Sequence, residues 1–319
     1  MWLLSVTFCL LCAAAAVVLA AGAVIMHIRR VDDRRCEQRY GLHFMQLIAA
    51  RMLSGEGAPT ERFSMCGRHG ARRVLVRQLA TASASTSFAE AGVVRRMVVA
   101  NGVERWLLRR VKYSSGYARN RYMAMFASLP VSLSVARRVE DIAFGGNCHT
   151  RFLAMLVRIA AEPAETVRMV GAYPRRLTRL ELAELTVMLR RGIVPLVYTP
   201  LLASPNVNLK MLGLNIIRIF GIAEAEERLH LLIAETEDED VCCEALFTLV
   251  SLHLSVACRS VAARIRAMDA DRRQDVLRHM AAEGYSTGVI SCLAAAEERE
   301  YAASLAASYK RRLVCHWQM

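Results

Sequence analysis

From Met1 to Ile28 the chain carries no Asp, Glu, Lys or Arg, and Trp2–Met26 is a predominantly apolar run of 25 residues. As a helix it would span about 38 Å, more than the roughly 30 Å hydrocarbon core of a bilayer. His27, Arg29 and Arg30 end the run, Arg34, Arg35 and Arg39 follow, and no basic side chain precedes it. Basic residues concentrate on the cytoplasmic side of a span, which puts the N-terminus outside and the following body in the cytoplasm, at the cytoplasmic (inner) membrane in a single pass. A cleaved export signal is the competing reading, since Ala21-Gly22-Ala23 has the small-x-small pattern of a cleavage site. The uncharged start, the length of the run and the arginines after it favour an anchor over residues 1–28.

Beyond the anchor the chain reads as all-α. Apolar residues make up 55% and charged residues 22%, which excludes both a disordered chain and a multi-span membrane protein. Ala, Leu, Met and Arg are abundant, and runs of alternating β-branched and aromatic residues are scarce. Asp33–Leu53 reads as one juxtamembrane helix with an apolar stripe of Leu42, Met45, Ile48, Ala49, Met52 and Leu53. Ser54–Gly70 is glycine-rich and reads as a linker, so residues 29–70 form a juxtamembrane helix and linker.

From Ala71 short helices alternate with brief breaks, at Asn101-Gly102, Ser114–Gly116, Gly145–Asn147, Glu162-Pro163, Tyr173-Pro174, Gly192, Ser204–Asn206, Gly221, Glu237–Asp240, Asp269–Asp271 and Gly284. Thr178 with Glu181 fits a capping box, and Asn206 fits an N-cap. Arg121–Phe126 (RYMAMF) and Arg151–Leu156 (RFLAML) match in character at every position. Related starts fall at Glu184, Lys210 and Glu244, at intervals of 30, 33, 26 and 34 residues. A small residue occupies the fourth position of three copies (Ala124, Ala154, Gly213), where neighbouring helices are expected to approach closely.

A helix-pair period of this length is the mark of an α-solenoid. Within Ser204–Leu254, SPNVNLKMLGLNIIRIFG, AEAEERLHLLIAETE and DEDVCCEALFTLVSLH read as a first, second and next first helix, and Val207, Met211, Leu212 and Ile216 recur as Val241, Ala245, Leu246 and Val250. This stretch resembles HEAT repeats of the armadillo-like class; the Trp, Gly and Tyr pattern of tetratricopeptide repeats is missing. The resemblance implies an α-α superhelix over residues 71–268, with 269–319 as a helical cap and basic tail. It also implies protein–protein interaction, as in an adaptor or an accessory subunit of an envelope or glycosyltransferase complex.

Nothing in the sequence marks an enzyme. No HExxH, GxSxG, Walker or GxGxxG pattern occurs. Cys66 with His69, and Cys148 with His149, have ligand-like spacing but lack the other two ligands of a zinc site. Cys9–Cys12 lies in the apolar run, and Cys242-Cys243 reads as apolar filling. Glu235–Asp240 reads as a solvated loop that caps the next helix. No catalytic, metal or cofactor residue is expected; the alternative, an unrecognised enzyme, would need a cleft of clustered titratable residues drawn from distant parts of the chain.

Charge supplies the candidate site. Through Arg138 there are 21 basic and 7 acidic residues, and from Val139 onward 21 and 22, so the whole net +13 lies in the first half. The doublets Arg72-Arg73, Arg95-Arg96, Arg109-Arg110 and Arg137-Arg138, with Arg105 and Trp106, are the candidates for binding a protein partner or a polyanion. For a tethered chain, anionic lipid is a nearer polyanion than nucleic acid. The expected partner is therefore a membrane-associated protein, with the membrane itself engaged through the N-terminal helix.

Overall fold

The structure, a computed structural model, describes residues 2–54, 62–63, 69–85, 88–189, 197–256, 258–295 and 298–316; within these, the side chains of 2–14, 25–26, 29–30, 69, 88–91, 306 and 310–316 are not described. Cys9, Cys12, Cys66, Gly192 and Trp317 thus lie outside the described side chains. All regular elements among the described residues are helical, and the chain divides into two compact units, 1–163 with 191–193 and 164–190 with 194–319.

The first unit is built from α1 (Trp2–Leu53), α2 (His69–Ser85), α3 (Phe88–Ala100), α4 (Val103–Tyr113), α5 (Gly116–Ala127), α6 (Leu133–Ala143) and α7 (Cys148–Ala161). The expected juxtamembrane helix is thus the continuation of the apolar one. Residues 15–21 of α1 are all exposed, which for Val17, Val18 and Leu19 means 68–73% bare. Among the described residues no helix is long and apolar enough to cross a membrane, and the side chains of residues 2–14 and 25–26 of the apolar run are not described.

Further along, α1 packs on α2 and α3. Its buried face is Tyr40, Gly41, Phe44 and Ile48, whereas Leu42, Met45 and Leu53 of the expected stripe are exposed. Both sets have helical spacing, and the aromatic one has more area to bury. Gly41 lies against Gln78 of α2, and Glu37 one turn earlier accepts from Arg77 (2.5 Å) and Gln78 (3.0 Å). Phe63 is buried against Phe44, ring centroids 6.0 Å apart, so the expected linker is fastened at that point. Beyond α2 the helices pack in alternation, α3 on α4, α4 on α5 and α6, and α7 on both α5 and α6, around Met97, Leu107, Met123, Phe126 and Phe152.

The second unit comprises α8 (Thr166–Gly171), α9 (Arg179–Leu189), α10 (Tyr198–Leu202), α11 (Val207–Phe220), α12 (Glu226–Glu235), α13 (Glu239–Ser251), α14 (Arg259–Ala267), α15 (Ala270–Ala282), α16 (Thr287–Leu293) and α17 (Arg299–His316). Packing again skips a neighbour: α9, α11, α13, α15 and α17 form one series, and α10, α12, α14 and α16 the other. The apolar side chains between them form one continuous core from Leu202 to Ala302. Two buried asparagines tie successive helices of the first series. Asn215 donates to Thr186 Oγ1 (2.6 Å) and Leu182 O (3.1 Å), and Asn208 accepts from Leu177 N (2.9 Å).

The starts of these helices follow from their caps. Thr178 N donates to Glu181 Oε2 (2.9 Å) and Glu181 N to Thr178 Oγ1 (3.2 Å), a reciprocal capping box. Asn147, Asn206, Asp238 and Asp269 accept from the first amides of α7, α11, α13 and α15, each cap contributing about 1 kcal/mol. The end of α13 carries no such signal in sequence. There His253 takes a left-handed conformation (φ 54°), with its N–H bonded to Val250 O and that of Leu254 to Leu249 O. This is the hydrogen-bond pattern that a glycine more often supports. The small fourth positions divide: Ala154 and Gly213 are buried, while Ala124 is exposed.

Candidate functional site: an arginine-lined cavity at the start of α4

Between α3 and α4 the chain turns at Asn101-Gly102. Asn101 is buried, its Nδ2 donates to Met97 O (2.9 Å), and its Oδ1 accepts from Phe63 N (2.9 Å). That second bond, with the Phe63–Phe44 stack, fixes the position of Arg62. Gly102 follows with φ 63° and has no side chain to cap α4. The first helical bond runs from Trp106 N to Gly102 O (3.1 Å), so the earlier amides at this end have no acceptor within the helix.

Arg105 and Arg109 are one turn apart and share a face of α4. Together with Arg62, Arg72 of α2 and Trp106 they line a cavity of ≈ 510 Å³ whose floor includes Val99, Ala100, Asn101 and Gly102. Among the described residues Glu104 is the one carboxylate in this lining, and it accepts from Ser132 N (2.6 Å) and Ser132 Oγ (3.3 Å). Among the described residues the lining therefore holds four arginines and one carboxylate. Arg72 Nε is buried without a hydrogen-bond partner among the described residues. Trp106 is buried, meets Tyr122 edge-on (5.9 Å between centroids), and has the Arg110 guanidinium 5.7 Å from its ring centre. It fills the core and walls the cavity at once.

The remaining candidates are dispersed. Arg73 pairs with Asp33 of α1 (2.6 Å) and serves the α1–α2 contact. On α3, Arg95 is exposed and Arg96 half-buried, and neither lines the cavity. Arg137 and Arg138 on α6 are exposed and also lie off it. The doublets thus do not act as units. What the sequence reading missed is Arg62 and the bond from Phe63 N to Asn101. The turn is visible as a break, but its service to Phe63 is a tertiary contact.

In the second unit a different chemistry prevails. Arg176 pairs with Asp238 and Asp240, Arg272 with Glu239 and Asp240, and both Arg179 and Arg218 with Glu244. Of these, Arg176, Arg179, Arg272, Asp240 and Glu244 border an open groove of ≈ 320 Å³ that also includes Val207, Met211 and Phe247, with the Arg179 guanidinium 4.9 Å from the Phe247 ring centre. Charges here are matched, so the acidic run at Glu235–Asp240 both caps α13 and holds this network. Burial raises the Cys242 thiol and pushes Cys243 up to about 11, which disfavours the reactive thiolate and fits their role as apolar filling. Cys148 and His149 are exposed, and among the described residues no group of three His, Cys, Asp or Glu side chains is placed to hold a metal ion. Comparison with protein-family models, with curated proteins and with solved structures finds no match.

Proposed function

We propose that this chain is a membrane-tethered scaffold: the first half of α1 spans the cytoplasmic membrane, and the helical body, a HEAT-like repeat stack, binds a membrane-associated protein. The observation that carries the reading is α1 itself. Its residues 15–21 are bare on every side, and the same helix continues unbroken into the packed body. A helix that is apolar all round and uncovered by its own chain needs an apolar medium. The alternating packing of α9 to α17, in which each helix is covered by the next but one, supports the repeat reading.

A surface for the partner lies on α1 just past the basic cluster. Leu42, Met45 and Leu53 are exposed at helical spacing, a stripe that continues the anchor's own axis. A partner that itself enters the membrane would meet this stripe first, and tethering raises its effective concentration there. The test is capture of the full-length tagged chain from detergent-solubilised membranes, beside Leu42→Ser/Met45→Ser. The reading expects a near-stoichiometric membrane protein that is lost from the double variant while the chain stays folded and membrane-bound. Recovery of the chain alone, or equal capture by the variant, would count against this surface.

A further inference from the structure

We propose that the cavity between α2, the Arg62–Phe63 segment and the start of α4 is a binding site for a phosphate-bearing ligand. The inference is independent of the scaffold reading. Its basis is the juxtaposition of Arg62, Arg72, Arg105 and Arg109 around one cavity whose lining has, among the described residues, a single carboxylate, Glu104, hydrogen-bonded to Ser132.

Arg62, Arg105 and Arg109 are exposed, so water screens their mutual repulsion, and a bound anion would gain from all four cations around one space. In the second unit, by contrast, the groove arginines meet Asp238, Glu239, Asp240 and Glu244. The first unit has 24 basic and only 10 acidic residues, so it is short of such partners. Arg72 adds a cation from α2 to the same lining.

Phosphate suits the donors better than a simple carboxylate. Guanidinium forks bind tetrahedral oxyanions in bidentate fashion, and several can share one phosphoryl group through its separate oxygens. The uncapped amides at the start of α4 add positive potential to the same wall. A cavity of ≈ 510 Å³ holds more than the ion alone, within the roughly 300–1,000 Å³ of small-molecule sites. Trp106, 8% exposed, adds a small apolar element to the lining. A phospholipid headgroup and a soluble phosphate ester both present this chemistry.

The experiment uses the full-length chain in lipid nanodiscs at fixed ionic strength. In one arm inorganic pyrophosphate is titrated calorimetrically; in the other, the thermal midpoint in phosphatidylcholine discs is compared with that in discs containing phosphatidic acid. Arg105→Gln/Arg109→Gln removes two exposed lining groups, and Arg137→Gln/Arg138→Gln removes the same charge from α6 outside the cavity. Saturable binding, or a midpoint shift, that falls about 10-fold or more in the first variant and changes less than about 2-fold in the second establishes the site. The arm that responds identifies the source as soluble ester or headgroup. Silence in both arms, or equal losses in the two variants, would overturn the proposal in favour of a diffuse basic surface.

Discussion

A few buried polar side chains decide how this chain responds to mutation and pH. Arg273 and Glu298 are both nearly buried, joined at 2.6 Å, and Arg273 also donates to Met268 O (2.6 Å). Arg273→Met leaves Glu298 buried without its cation and is expected to cost about 3 kcal/mol in chemical denaturation. The hydrogen bond from Arg273 holds the Glu298 carboxyl below its ordinary value of 4.5, so its contribution is full above that pH and is lost as the pH falls through the folded value. His279 acts at higher pH. Burial lowers it from 6.5, helped by the Arg218 cation and opposed by Glu283, Glu244 and a hydrogen bond to the Phe247 backbone, while its ring meets the Phe247 ring and its Nε2 bonds with Ser251. Its stabilisation is complete above 6.5 and declines as the pH drops below. Unfolding free energy should therefore fall in two stages on acidification, and His279→Gln should remove the upper stage alone. At pH 8, iodoacetamide should label Cys148 and Cys292, which are exposed, well before Cys242 and Cys243, which are buried; equal labelling of the native chain would contradict the placement of α13.

At the scale of elements, much was legible where a residue's own chemistry makes the turn. Asn206, Gly221 and the Thr178/Glu181 pair mark helix ends by local hydrogen bonds or a left-handed backbone, and all three do so in the structure. The left-handed turn after α13 was not legible, because no glycine announces it at His253, where the helical pattern ends. Nor was the buried face of α1, since two apolar stripes compete and only the tertiary partners Phe63 and α2 choose between them. Phe44 is fully buried in that contact, and Phe44→Ala is expected to cost about 3–5 kcal/mol. The small fourth positions make a sharper comparison. A side chain begun at Gly213 would meet Leu201 and Leu202 of α10 at 3.1 Å, while Ala124 is exposed. Gly213→Leu should lower stability by at least about 1–3 kcal/mol, and Ala124→Leu should change it by less than about 0.5 kcal/mol.

For the molecule as a whole, the all-α class was written in composition and periodicity, and the charge asymmetry maps onto the two units. The first carries a net +14, from 24 basic and 10 acidic residues, and the second −1, from 18 and 19. The division between the units after Pro163 was not legible, because Glu162-Pro163 looks like any other break in the repeat. The candidate site was half legible: Arg72, Arg105, Trp106 and Arg109 stood out by type, while Arg62 and Asn101 enter only through the fold. The central claim is that α1 tethers this body to the cytoplasmic face of a membrane. Its most direct test is protease accessibility of a C-terminal tag on the full-length chain, in carbonate-washed vesicles sealed in either orientation. The account predicts that the tag stays with the membrane and is cut only in inside-out vesicles. Release of the chain by carbonate, or cleavage in right-side-out vesicles, would contradict it.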